Sequence, residues 1–306
     1  MNSTQTLIVR PPVERMAIQG KENPLSKCIR KCDNKDLTEA APIGVYISTN
    51  ETGLAKTREI LNNTPKIKDG CHIGFSGWHN FDIMVIRKSD YAIICDINPE
   101  NAYFLHHVLE MIKNNSDRLH FVGAAASYVK KVDRTNIIDP NKLETSVAFQ
   151  PNVSEDPIYD DVVFPSDEIP IELKREGSWL NTDESYQYIR KLAQNDKIVL
   201  ISENILNTAT FEKIKNVLQN NNFQIDSLYV SNIHDYMNTK ENRETFLKTI
   251  DTLSENETII ITTDSQLIQK SEKAKSISDK NNFFFGEIKY YMALLSPKTS
   301  DTDTKK

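Results

Sequence analysis

Four short clusters hold the side chains with which this sequence could do chemistry. The first is Gly74-Phe75-Ser76-Gly77-Trp78-His79-Asn80, a glycine pair around a hydroxyl. Glycine lets a backbone approach a ligand closely, and the free amides of a helix that follows such a turn can receive a carboxylate or a phosphate. The second is Asp96-Ile97-Asn98-Pro99, whose acid lies 19 residues beyond Gly77. At that distance a carboxylate ending a second strand can accept both hydroxyl protons of a ribose, and Ile97 could pack on an adenine face. The third is Glu203-Asn204, able to bond the exocyclic amine and ring edge of a purine. The fourth runs from Ser231 through Asn232, Ile233, His234 and Asp235 to Tyr236, where a reacting group would be handled. His234 is suited to general-base work because an unperturbed imidazole titrates near pH ~6.5. Each residue also has a plainer use. Gly74 and Gly77 can simply make a tight turn, and Asp96 can cap the next helix or sit solvated. His234 can be exposed or capping, and Trp78 and Tyr236 can be core rather than an aromatic wall.

Positioning these clusters at one edge requires a particular scaffold, and the hydrophobic rhythm supplies it. Short apolar runs at Cys71–Phe75, Tyr91–Cys95, Lys197–Ile201, Ser227–Val230 and Thr258–Thr263 read as buried strands. Between and around them, helical spacing predicts helices over Thr52–Asn62, Trp78–Arg87, Glu100–Lys113, Thr208–Leu218, Lys240–Leu253 and Ser265–Ile277. Another helix should start after Asn181, with Glu184 reaching back to the cap, and continue through Tyr186, Ile189 and Leu192. Strands alternating with helices imply parallel strands joined by crossovers, hence an α/β fold with a doubly wound, mostly parallel sheet. Ligands of such sheets bind beyond the carboxyl ends of the strands, which is where all four clusters fall, with Asp264 following the fifth strand. The end of the chain differs: Asn282–Phe285, Gly286 and Glu287–Leu295 read as a terminal antiparallel strand pair.

The remaining segments divide the chain. Residues 1–40 hold seven basic side chains and little periodicity, and read as an irregular basic arm. Residues 41–296 form a single domain, interrupted at 136–177 by an insert with ten acids against three basic residues and five prolines. An insert of that length without periodicity is a solvated excursion or a lid. Residues 297–306 read as a disordered tail.

Composition excludes several functions. The net charge of -6 has the wrong sign for a protein whose affinity comes from neutralising phosphates, so nucleic acid is not an expected partner. The apolar runs are strand-sized, which leaves no expected transmembrane segment. Residues 1–10 lack the charged and apolar regions of a secretory leader, so the cytoplasm is the default location. Four cysteines are too few for a disulfide scaffold, and Cys28 and Cys32 lack two further ligands nearby, so no metal is expected. His106 and His107 are neighbours on a helix and point about 100 degrees apart, which argues against shared coordination. The chain is rich in Asn, Lys and Ile, as in low-GC bacterial genomes, and its basic arm and polar tail would suit a protein delivered into another cell.

The alternation, the acid ending the second strand and the pair around Gly286 resemble the Rossmann-like fold of class I S-adenosylmethionine-dependent methyltransferases. The resemblance covers about residues 66–295, although that family usually carries an acid at the end of strand one and a G-x-G where this chain has Gly74-Phe75-Ser76-Gly77. Locally, Ser76-Gly77 with Asp96-Ile97-Asn98-Pro99 is similar to S-adenosylmethionine aminocarboxypropyltransferases. The resemblance implies S-adenosyl-L-methionine as cofactor, with Gly74, Ser76 and Gly77 around its methionine portion and Asp96 on the ribose. Ile97 would lie on adenine, Asn98 beside it, and Glu203 or Asn204 at the base. Ser231, His234 and Tyr236 would face the reacting centre.

The leading expectation is thus an S-adenosylmethionine-dependent transferase, methyl transfer first and aminocarboxypropyl transfer second, acting on a small-molecule, lipid or protein acceptor. A catalytically inactive binding protein on the same fold is motivated by the missing acid after strand one. A nicotinamide-dependent oxidoreductase would use the same turn and acid but needs a parallel sixth strand.

Overall fold

In the computed structural model, residues 22–34, 47, 54–135, 165–262 and 267–269 are described. In chain order they form α1 (Pro24–Ile29), α2 (Leu54–Asn63), β1 (Gly70–Phe75), α3 (His79–Arg87), β2 (Tyr91–Asp96), α4 (Pro99–Asn114), α5 (Arg118–Thr135), α6 (Pro165–Glu172), α7 (Asp183–Gln194), β3 (Ile198–Ser202), α8 (Thr208–Gln219), β4 (Gln224–Ser231), α9 (Lys240–Leu253), β5 (Ile259–Thr262) and β6 (Leu267–Gln269). The sheet order is β3-β2-β1-β4-β5-β6, parallel from β3 to β5.

The strands are near-continuous apolar runs because both faces of the sheet are covered. On β2 the alternation of side chains assigns each face. Tyr91, Ile93 and Cys95 join one core with α1, α8 and α9 through Ile29, Phe211 and Phe246. Ala92 and Ile94 join the other, with α3, α4, α5 and α7 through Phe81, Val108, Phe121 and Ile189.

A buried ion pair fixes the amino-terminal edge of this sheet. Arg87, at the end of α3, donates from Nε and Nη2 to both carboxylate oxygens of Asp226 at 2.7 and 2.6 Å. Its other donors reach the carbonyls of Leu61, Thr64 and Pro65 at 2.7 to 2.9 Å. All five guanidinium hydrogens are used, which is what makes so deeply buried an arginine tolerable.

Several sequence expectations need correction. The arm expected to be irregular contains α1, capped by Asn23, whose side chain accepts from the Leu25 amide at 2.9 Å. The segment is tied to Asp196 just before β3 by the Asn23 amide and Arg30, and to Ser202 at the end of β3 by Asp33 and Asn34. It therefore runs along the outer edge of β3 and shields it from pairing with another chain. The α7 cap is Thr182, which accepts from the Ser185 amide, rather than Asn181, whose side chain bonds the Leu173 carbonyl instead. Within the expected insert, α6 is helical and packs on α5, a helix that the hydrophobic rhythm alone does not announce. The helix expected over Ser265–Ile277 is replaced at Leu267–Gln269 by β6, antiparallel to β5. The terminal pair around Gly286, residues 297–306, Asp264 and residues 136–164 lie outside the described residues. Among those described, no helix is long and apolar enough to cross a membrane, and no group of three or more His, Cys, Asp or Glu side chains is placed to hold a metal ion.

Candidate functional site

Strand order reverses between β1 and β4, so the crevice at their carboxyl ends is the place where a ligand of this fold would sit. Gly74 pairs with Tyr229. Two residues on, both strands leave the sheet through a serine in the left-handed region, Ser76 at φ 69° and Ser231 at φ 47°. Left-handed backbone costs a residue with a Cβ about 1 kcal/mol or more, and such strain gathers at ligand sites. Two of them side by side at the switch point mark these loop starts as held in place by their surroundings. Ser76 is anchored from β2 by its amide, which donates to the Cys95 carbonyl at 3.1 Å. Ser231 is anchored from β5 by its carbonyl, which accepts from the Thr262 hydroxyl at 3.2 Å.

Asn80 builds the β1 turn from beneath. Its amide nitrogen donates to the carbonyls of Phe75 at 3.0 Å and Gly77 at 2.6 Å. Its oxygen accepts from His72 Nε2 at 3.0 Å, and His72 Nδ1 in turn accepts from the Ser227 hydroxyl at 2.9 Å. Burial pushes the His72 imidazole down to about 4, opposed by the Asn80 bond, so it stays neutral with its proton on Nε2. Gly74 must be glycine for the sake of this amide, because a Cβ there would lie 1.7 Å from Asn80 Oδ1. That corrects the expectation for Gly74: the close approach it allows is to Asn80 within the protein. Trp78 is likewise core, packed edge-on against Trp179 at 5.7 Å.

Asp96 ends β2 beside this turn. Its carboxylate accepts from the Asn98 amide at 2.7 Å and from the Asn101 side chain at 2.6 Å, at the start of α4. Burial raises its pKa to about 6 in spite of these bonds. The Ile97 amide donates to it as well, and since a carboxylate offers about four acceptor positions, capacity for one further donor is left. Ile97 is half-buried beside it and Asn98 is buried.

Glu203 departs from its expected role at a base. Its Oε2 accepts from Asn207 at 3.0 Å and Thr210 at 2.9 Å, and its Oε1 from the Asn204 amide at 2.8 Å and Asn34 at 3.3 Å. Four donors saturate the carboxylate, which organises the start of α8. Asn204 closes a turn by accepting from the Leu206 amide at 2.9 Å. Tyr236 is 65% exposed and walls nothing, while the side chains of His234 and Asp235 lie outside the described residues.

A second polar group was not singled out from the sequence. His79, the first residue of α3, places Nδ1 at 2.8 Å from Asp82. Asp82 also accepts from Arg175 and from the Trp179 amide, and Arg175 continues to Glu172 at 2.9 Å. Burial alone would raise the Asp82 carboxyl, but the Arg175 charge and the His79 bond outweigh it and hold it below its usual value. The spacing of His79 and Asp82, three apart at a helix start, was the available signal.

The family model that matches residues 46–304 is described as "Domain of unknown function (DUF7790)". Among solved structures, the chain is similar to an rRNA methyltransferase, aviRa, from Streptomyces viridochromogenes. That match has a TM-score of 0.34 and 8% identity over 74% of this chain and 77% of that one, a level that carries no functional argument. No curated protein matches the chain.

Proposed function

The chain belongs to the DUF7790 family, and we propose that it is an S-adenosylmethionine-dependent group transferase, with methyl transfer the leading reaction and aminocarboxypropyl transfer the alternative. The observation that supports this reading is the pair of left-handed strand exits, Ser76 and Ser231, at the switch point of the sheet, with Asp96 at the carboxyl end of the neighbouring strand β2. The cofactor fits these residues by its donor chemistry. A ribose diol offers hydroxyl hydrogens, and Asp96 keeps acceptor capacity for one beyond its bonds from Ile97, Asn98 and Asn101. Ile97 offers an apolar surface for the adenine, and Ser76 with Gly77 would lie along the methionine portion. The bound group supplies an already activated sulfonium. The chain then has to hold the donor and an acceptor in line and exclude water, which needs no metal-ligand motif.

A second reading is a binding protein of the same fold without turnover. It is favoured by Glu203, whose carboxylate is saturated by the start of α8 and has nothing left for a base. The two readings separate by product. Purified protein, incubated with S-adenosylmethionine and panels of amine, hydroxyl and lipid acceptors, should yield S-adenosylhomocysteine or methylthioadenosine by mass spectrometry. The first product identifies methyl transfer and the second aminocarboxypropyl transfer. Saturable binding without either product selects the second reading, and absence of binding removes the transferase reading.

A further inference from the structure

We propose that residues 22–34 act as a positioning strap for the candidate site, holding the exit of β3 and, through it, the backbone of Asp96, so that docking of the strap and occupancy at Asp96 are linked. The inference rests on the reading of Asp96 as a ligand residue. Among the described residues β3 is the outermost strand on its side of the sheet, so alternate residues would otherwise turn their N–H and C=O to solvent. At the exit those groups belong to Ser202, which stands in register with Asp96. The Ser202 amide donates to Asp33 Oδ1 at 2.9 Å, and its carbonyl accepts from the Asn34 amide at 2.8 Å. The strap thus holds Ser202 from outside much as another strand would. The next residue turns inward, and the Glu203 amide donates to the Asp96 carbonyl at 3.0 Å. Asn34 also donates from its side chain to Glu203 Oε1 at 3.3 Å. Strap, β3 exit and Asp96 are therefore joined in one hydrogen-bonded series.

The two ends of the strap are held differently. At the α1 end Leu25 and Ile29 are buried in the core, Arg30 pairs with both carboxylate oxygens of Asp196, and the Ser26 and Tyr91 hydroxyls bond at 2.7 Å. At the exit end the strap meets β3 through polar bonds from Asp33 and Asn34, both half-buried. Such bonds open at lower cost than buried apolar contacts, so the exit end can loosen while α1 stays docked. Loosening gives Ser202 to water and leaves the Glu203–Asp96 bond without support on its outer side. A ligand bonded to the Asp96 carboxylate favours the ordered exit and hence the docked strap, and the coupling is reciprocal.

The test compares the full chain with Asn34→Pro, which removes the donor to Ser202 and the side-chain bond to Glu203 and removes no charge. Asp33, at φ -69° and ψ 122°, already has the backbone that a following proline favours. Without any ligand, amide hydrogen exchange read by NMR should speed up about tenfold at Glu203 and stay unchanged at Val199 inside β3. Carboxyl ¹³C titration should find Asp96 moved down from about 6 toward the ordinary ~3.9, because burial is what raises it. Asp33→Ala should act in the same way. Asp33→Asn removes the same charge but keeps an acceptor for the Ser202 amide, and should behave as the parent; this pair decides if Asn34→Pro does not fold. A folded Asn34→Pro or Asp33→Ala with parental exchange at Glu203, or with parental titration at Asp96, would overturn the proposal. Where S-adenosylmethionine binds the parent, both variants should weaken it by about fivefold or more, and an unchanged affinity would overturn the proposal as well. Absence of binding to the parent counts against the transferase reading alone, since the ligand-free measurements decide the strap by themselves.

Discussion

Replacing Gly74 and Asn80 singly and together tests how the switch-point turn is built. In Gly74→Ala the new methyl would lie 1.7 Å from Asn80 Oδ1 and 2.7 Å from His72 Nε2, so the carboxamide must leave. Its departure strands the Phe75 and Gly77 carbonyls and the His72 N–H, three polar groups in a buried setting. Each such loss costs about 1–3 kcal/mol, so roughly 3–6 kcal/mol is expected after partial relaxation. Asn80→Ala strands the same three groups and should cost about as much. In the double variant the methyl introduced by Gly74→Ala enters the space the carboxamide has left, and the three groups are lost once rather than twice. The double variant should therefore be about as stable as either single one, a coupling of ~3 kcal/mol or more that distant sites never show. Urea denaturation followed by the buried Trp78 and Trp179 measures all three. Losses that simply add, or a Gly74→Ala cost under about 1 kcal/mol, would refute the placement of Asn80 under the turn.

The buried pair at the other edge predicts that Asp226→Ala, which leaves the Arg87 guanidinium uncompensated, costs about 3–5 kcal/mol by the same assay; a loss below ~1 kcal/mol would contradict the pairing. Ser76→Gly and Ser231→Gly relieve left-handed backbone and should each raise stability by roughly 0.5–1 kcal/mol, read as a higher Tm. Asp96, raised to about 6 by burial, binds its proton more tightly folded than unfolded. Its contribution is fully stabilising below pH ~4 and is lost as pH rises through about 6. Asp96→Asn should consequently narrow the stability difference between pH 5 and pH 8, and an unchanged difference would refute the burial of that charge.

The scaffold was legible wherever one pattern acted alone. β1, β2 and α9 are sharply periodic and bounded by polar residues, and their observed limits lie within a residue or so of the expected ones. The α5 helix escapes the sequence pattern although Phe121, Val122, Ala125 and Val129 stand at helical spacing and are buried. Gly123 and the run of alanines lower its contrast, and only packing on α4 and α6 makes the helix plain. β6 reads as a helix in the sequence because three residues are too few to carry a period of two, so pairing with β5 decides. The site was legible as positions but not as bonds. Asp96 ends β2 and Glu203 directly follows β3, and nothing in the sequence distinguishes a carboxylate with capacity to spare from one saturated by its neighbours. Asn80 beneath Gly74 and Asp226 against Arg87 depend on contacts that only the folded chain creates.

Calorimetric titration of the intact protein with S-adenosylmethionine, at pH 5 and pH 8, tests the central claim most directly. The expected result is saturable binding that is tighter at pH 8, where Asp96 is ionised and can accept a ribose hydroxyl, and that Asp96→Ala abolishes in a protein that still melts cooperatively. Binding that ignores both pH and the Asp96 substitution, or no heat at all from a folded sample, would contradict it.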